Sequence, residues 1–225
     1  MELLDGKSLG SKLEKNEAIS PVEIMDIMIA VCNGLTAAHA AGVVHRDLKP
    51  DNIFLTRTGP RIVDFGIAKR TDFDDEERSL TKTGNICGTV EYISPEHIGG
   101  QNTDHRVDIY TAGLIIYEVL TGTTPFKGRN IAETMNRIMT DKITAPRKRT
   151  GNKLIPKPLE DICLKAMSRD PAKRYQSAEE MRLALEAVRA EVFQMTMIES
   201  LGNSKKTKTL HTVALLGLSG AMLLS

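Results

Sequence analysis

The stretch whose reading decides the fold is VVHRDLKPDNIFLT, Val43 to Thr56. An apolar pair leads in, a dense polar cluster follows, and an apolar run leads out. The pattern reads as a loop held between two short strands, Val43-Val44 and Ile53-Phe54-Leu55. On that loop Asp47 and Asn52 lie five residues apart, with Lys49 between them. A carboxylate beside a hydroxyl can accept its proton or orient it for in-line attack. An asparagine nearby can ligate magnesium, and a lysine can meet the negative charge of a phosphoryl group in flight. Downstream, past an expected turn at Thr58-Gly59-Pro60, the strand Arg61-Ile62-Val63 runs into Asp64-Phe65-Gly66. A carboxylate at a strand end, followed by glycine, suits a metal ligand with a flexible exit.

Working outward, Ser20-Pro21-Val22-Glu23 is a helix start. Serine caps, proline fits the first turn, and glutamate falls three after the serine. Ile24, Ile27, Met28, Val31, Leu35 and Ala38 recur at helical spacing until Gly42. Val107 to Gly122 is apolar nearly all round, as a buried helix is. The basic, proline-bearing stretch 143–158 predicts a loop, followed by a helix from Leu159 to about Ser168. A last helix starts at the capping box Ser177-Ala178-Glu179-Glu180 and continues towards Phe193. Residues 72–84 are acidic and then rich in Ser and Thr, the composition of a surface loop. The expected class is α+β, mostly α.

With 225 residues, 30 Lys and Arg against 29 Asp and Glu and a net charge of +1, the chain gives no reason to expect nucleic-acid binding. Ten methionines and no tryptophan suit an aliphatic helical core. Cys32, Cys87 and Cys163 are far apart and form no C-x-x-C pair, which disfavours a disulfide framework or a zinc site.

His45-Arg46-Asp47-Leu48-Lys49-Pro50-Asp51-Asn52 resembles the catalytic loop of protein kinases, and Asp64-Phe65-Gly66 resembles their metal-binding motif. Gly88-Thr89-Val90-Glu91-Tyr92-Ile93-Ser94-Pro95-Glu96 is similar to the end of their activation segment, with Ser94 where alanine is usual. The flavour of AAHAAGVVHRDLKPDNIFL and DIYTAGLIIYEVLTGTTPF is that of bacterial eukaryotic-like serine/threonine kinases. The resemblance covers roughly residues 1–192. It implies a large-lobe kinase fold and ATP- and magnesium-dependent phosphoryl transfer to Ser or Thr hydroxyls of protein substrates. By the same resemblance Asp47 handles the hydroxyl proton, Lys49 assists it, and Asn52 and Asp64 hold magnesium. Met1, Leu3 and Phe54 would contact ATP, with residues 1–4 as the hinge between lobes. Thr89 would line the substrate site, Asp108 would hold the catalytic-loop backbone, and Arg174 would pair with Glu96. His45 would pack under the metal motif. Arg46 beside Asp47 is the arrangement of kinases switched on by phosphorylation. Thr81 and Thr83 are the leading acceptors, ahead of Ser79 and Thr71, and self-association would serve autophosphorylation.

Before Ser20 the sequence carries no G-x-G-x-x-G and no candidate for the strand lysine of the small lobe. The expectation is therefore a lobe, 1–193, that has little activity in isolation, with its lobe-facing apolar residues Val43, Phe54, Ile62 and Ile67 exposed. A non-catalytic kinase-like interaction module is the alternative. A linker, 194–208, ends in Lys205, Lys206 and Lys208, ahead of an uncharged apolar segment, 209–225. That segment reads as the start of a transmembrane helix, with the lobe cytoplasmic and anchored to the inner membrane. The other reading is an apolar tail packed on the lobe.

Overall fold

The computed structural model describes residues 5–65 and 90–194. The chain divides into two units, Met1–Glu186 and Ala187–Ser225. The first unit contains both the sheet and the polar loop.

Its architecture is helical around a small sheet. β1 (Gly6–Ser8), β2 (Ile53–Thr56) and β3 (Gly59–Ile62) form one antiparallel sheet in the order β1-β2-β3. Ser8 faces Phe54, and Ile53 faces Ile62. β2 and β3 are joined through Arg57-Thr58, so Thr56 faces Gly59. This corrects the expected turn at Thr58-Gly59-Pro60. Pro60 is accommodated in β3 because that strand is a sheet edge, where a missing N–H costs no ladder bond.

The helices are α1 (Leu9–Glu14), α2 (Pro21–Ala40), α3 (Pro95–Ile98), α4 (Arg106–Thr121), α5 (Ile131–Thr140), α6 (Pro146–Thr150) and α7 (Lys157–Ala166). An eighth, α8, covers 178–194. α2 begins as its sequence predicts, with the Glu23 amide donating to Ser20 Oγ at 3.0 Å. It is long and apolar enough to cross a membrane. Its buried residues, from Ile24 to Leu35, nevertheless belong to the core, and the helix packs on β3 and α4.

α4 is the axis of the core. Every residue from Val107 to Tyr117 is buried, and α7, α2 and α6 pack around it. Gly122 closes it at φ +77, a left-handed position that glycine takes without strain. α7 crosses at Gly113, where a Cβ would lie 2.6 Å from Ala166 Cβ. The Cys163 thiol donates to the Gly113 carbonyl at 3.3 Å. Burial pushes the Cys32 thiol up to about 12 and raises that of Cys163 as well.

Three further expectations change. Val43-Val44 is not a strand: the Val43 amide donates back to the Ala38 carbonyl at 2.9 Å, closing α2. The stretch 143–158 is not all loop, because α6 forms inside it. Pro146 opens that turn, Gly151 ends it at φ +69, and the Arg147 amide is tied to Glu160 at 2.7 Å. Val43, Phe54 and Ile62 are half-buried and not exposed, with Ile62 lying over α2 at Gly34. Ile67, the 72–84 stretch and the apolar segment 209–225 lie outside the described residues.

Candidate active site

The polar loop is built from the α4 end. Asp108, 1% exposed in the first turn of α4, accepts the His45 amide on Oδ2 and the Arg46 amide on Oδ1, each at 2.9 Å. His39 Nε2, from the last turn of α2, donates to the same Oδ2 at 2.8 Å. Three donors on one buried carboxylate satisfy it, and the positive end of the α4 dipole favours its charge. The loop backbone is thereby pinned while Arg46 sits at φ +62. That region is costly for a non-glycine residue and persists only where surroundings over-determine it.

The loop's second layer is internal. Val63 offers His45 Nε2 only a carbonyl acceptor, at 3.0 Å, and the Asp47 amide donates to His45 Nδ1 at 3.3 Å. The two partners suit a neutral imidazole protonated on Nε2. The His45 ring packs on Phe65 with centroids 4.8 Å apart. One histidine thus ties the segment before Asp47 to the segment that carries Asp64. Asn52 Nδ2 donates to the Asp47 carbonyl at 2.8 Å, and the Val63 amide donates to the Asn52 carbonyl at 2.9 Å. Lys49 Nζ stands 3.6 Å from Asp47 Oδ2. Asp64 is exposed at φ +55, a second strained position flanking the same loop.

A second anchor sits close to the first. Arg174 and Glu96 form a bidentate pair at 2.6 Å and 2.6 Å, with side chains 0% and 6% exposed. Arg174 also donates to the carbonyls of Ser168 at 2.7 Å and Arg106 at 3.0 Å, and its guanidinium lies 4.9 Å from the Tyr110 ring centroid. Thr111 Oγ1 donates to the Tyr92 carbonyl at 3.1 Å. Positions 106, 108 and 111 of α4 thus hold the 90–98 segment and the polar loop on one rigid helix.

Beside Lys49 and Asp51 a cleft of about 710 Å³ opens towards Glu91, Tyr92 and Glu118. Tyr92 donates to Glu118 Oε2 at 2.5 Å, and Thr124 donates to Glu91 Oε2 at 2.5 Å. Burial raises the Glu118 carboxyl above the usual carboxylate range, although the Tyr92 hydrogen bond works against it. The Tyr92 hydroxyl is raised too, first by burial and then by the Glu118 charge.

The structure therefore brings Asp47, Lys49 and Asn52 together. Asp64, exposed, directly follows Val63, whose amide is bonded to the Asn52 carbonyl, and Phe54 is half-buried on β2. Glu96, Asp108 and Arg174 are buried. Met1, Leu3, Thr81, Thr83 and Thr89, with Thr71 and Ser79, lie outside the described residues. Sequence reasoning missed His39. Its only signal was a histidine on the otherwise small and apolar run before Gly42.

The family model of the protein kinase domain matches residues 1–185. The chain belongs to the protein kinase domain family. It is 38% identical over 193 residues to the serine/threonine-protein kinase pkn3 of Myxococcus xanthus, covering 84% of this chain and 35% of that protein. It is 37% identical over 185 residues to the probable serine/threonine-protein kinase PknB of Corynebacterium glutamicum, covering 80% and 28%. To the serine/threonine-protein kinase PknB of Mycobacterium tuberculosis it is 34% identical over 187 residues, covering 82% and 29%. The chain spans between about a quarter and a third of the length of the curated relatives it matches. The kinase family accounts for the mostly helical lobe and its small sheet.

Proposed function

We propose that the protein carrying this lobe is a serine/threonine protein kinase, which moves the γ-phosphoryl of ATP to Ser or Thr hydroxyls of protein substrates. The observation that carries the reading is the doubly anchored loop: Asp108 fixes the backbone ahead of Asp47, and Asn52 fixes the carbonyl of Asp47 itself.

Asn52 and Asp64 have the donor chemistry that magnesium takes. Asn52 spends its NH₂ on the Asp47 carbonyl, which turns a hard carbonyl oxygen to ligation, and Asp64 supplies an exposed carboxylate. Magnesium takes one or two protein oxygens beside phosphate and water, so these two suffice. When bound, ATP with its magnesium supplies the phosphoryl group and neutralises part of its charge. Asp47 receives or orients the acceptor hydroxyl proton. Lys49, 3.6 Å from Asp47, holds that carboxylate and meets the charge on the group in transfer. The cleft beside Lys49 offers room for an acceptor segment. Met1, Leu3 and Phe54 are assigned to the nucleotide, and Thr89 to the acceptor side. Phosphorylation of Thr81 or Thr83 would give Arg46 a charge-assisted partner. Copies would meet to carry it out.

The proposed organisation is a cytoplasmic lobe over 1–193, a linker over 194–208, and at 209–225 the start of a helix that anchors the protein in the inner membrane. Lysines 205, 206 and 208 would lie on the cytoplasmic side. The test is Asp47→Asn in the whole protein. Phosphoryl transfer to a peptide acceptor should fall by about 10²-fold or more with an unchanged unfolding midpoint. Transfer at the wild-type rate would refute the assignment.

A further inference from the structure

The segment 142–157 holds six of the chain's Lys and Arg residues and no Asp or Glu. With a net charge of +1 overall, the rest of the chain is left at −5, so the positive charge is concentrated here. Lys157 is already paired with Asp161 and Glu160. Lys142, Lys148, Arg149 and Lys153 are exposed and have no carboxylate partner among the described residues.

The same segment carries Leu154, 86% exposed, the most exposed large apolar side chain among the described residues. Its presentation is built. Thr150 Oγ1 donates to the Pro146 carbonyl at 2.9 Å and accepts the Asn152 amide at 3.1 Å. Asn152 Oδ1 accepts the Leu154 amide at 2.9 Å. Ile155, 2% exposed, anchors the next residue in the core. Lys148 and Lys153 are five residues apart and so within about 18 Å of each other. Leu154 therefore projects from a braced loop among cations that have no carboxylate partner, of which Arg149 lies 6.0 Å from the Tyr117 ring centroid.

We propose that this loop, 142–157, docks on an anionic lipid bilayer, with Leu154 entering the acyl boundary and Lys142, Lys148, Arg149 and Lys153 lying at the headgroups. A protruding leucine gains from a surface that can admit it, while long basic side chains keep their charges at the interface. A nucleic acid or a purely acidic polypeptide would match the charge and leave Leu154 in water. Each cation held at an anionic surface raises binding by about fivefold, so four give a useful, salt-sensitive affinity. The inference rests on neither phosphoryl transfer nor the segment 209–225.

The chain has no tryptophan, so Leu154→Trp gives a single probe at the proposed contact. The full 225-residue chain carrying it is mixed with vesicles of phosphatidylglycerol and phosphatidylcholine in equal parts, some with brominated acyl chains. The expected result is blue-shifted emission quenched by the bromines. It should be absent on pure phosphatidylcholine and lost near about 1 M salt, where screening reaches about 3 Å. Adding Lys148→Glu and Lys153→Glu should weaken the response by about tenfold or more. Unshifted emission from vesicle-bound protein would mean that residues 209–225 alone hold it, and would overturn the proposal. So would an equal shift on neutral vesicles, or a shift produced by polyglutamate or DNA and not by vesicles.

Discussion

Asp108 holds His45 by its backbone amide at 2.9 Å, across 63 residues of sequence. The bond joins the most buried helix of the lobe to the loop that carries Asp47. Because the same carboxylate also takes the Arg46 amide and His39 Nε2, its removal would strand three donors at once, the His45 amide fully buried. Asp108→Asn keeps the volume and loses the charge, and one of its two ends can no longer accept. The expected cost is about 2–3 kcal/mol, in the range of hydrogen bonds to a charged group. Urea denaturation of wild type and variant measures it. A loss below about 0.5 kcal/mol would show that the loop is held by other contacts.

The Glu96–Arg174 pair should behave differently from the surface ion pairs. Both side chains are almost fully buried, so taking away either partner leaves a desolvated charge without its counter-ion. Glu96→Gln and Arg174→Met are each expected to destabilise by about 3–5 kcal/mol. The double variant should cost less than the sum of the two, since the surviving charge is what is expensive. By contrast, Lys173→Ala, which breaks the exposed pair with Asp170, should change stability by at most about 1 kcal/mol. Additive losses in the double variant would contradict this account.

Gly113 tests the close crossing of α4 and α7. Alanine is the better helix former by about 1 kcal/mol, so an open site would be stabilised by Gly113→Ala. Here the new methyl would meet Ala166 Cβ at 2.6 Å and Met167 Cγ at 3.0 Å. Met167 can move; Ala166 and the Cys163 carbonyl are fixed by α7. The expected net effect is a destabilisation of about 1–3 kcal/mol, read as a lower thermal midpoint. A raised midpoint would mean that α7 shifts without cost.

Much of this lobe was legible in the sequence because its signals are local. Ser20 and Ser177 announce their helices through side-chain caps, and the nearly all-apolar run 107–117 announces burial. Asp47 and Asn52 are expected near each other because they share one short loop, and the Asn52 amide does bond the Asp47 carbonyl. What stayed hidden depends on partners far away in sequence. β1, Gly6–Ser8, has no apolar alternation and is a strand only because β2 supplies its hydrogen bonds. Val43-Val44 has the composition of a strand, but its first amide is spent on Ala38. α6 was masked by basic residues and prolines, which elsewhere mark a loop. His39 looked like any helical histidine, since the aspartate that gives it a role lies 69 residues downstream.

Glu118 gives the lobe a pH dependence whose sign follows from burial. Its carboxyl is raised above the usual range chiefly because the charged form is desolvated. The folded state therefore binds its proton more tightly than the unfolded chain does. Between the ordinary carboxylate range and the raised value, the native state holds more protons, so stability falls as pH rises through that window. Glu118→Gln removes the ionisation and keeps an oxygen for the Tyr92 hydroxyl, which donates to Glu118 at 2.5 Å. Below the ordinary carboxylate range, wild type and variant should have nearly the same stability. Above the window the variant should be the more stable of the two. Chemical denaturation across that range decides the point. A constant difference between the two proteins, or a wild type that gains on the variant as pH rises, would mean that Glu118 is not raised in the folded lobe.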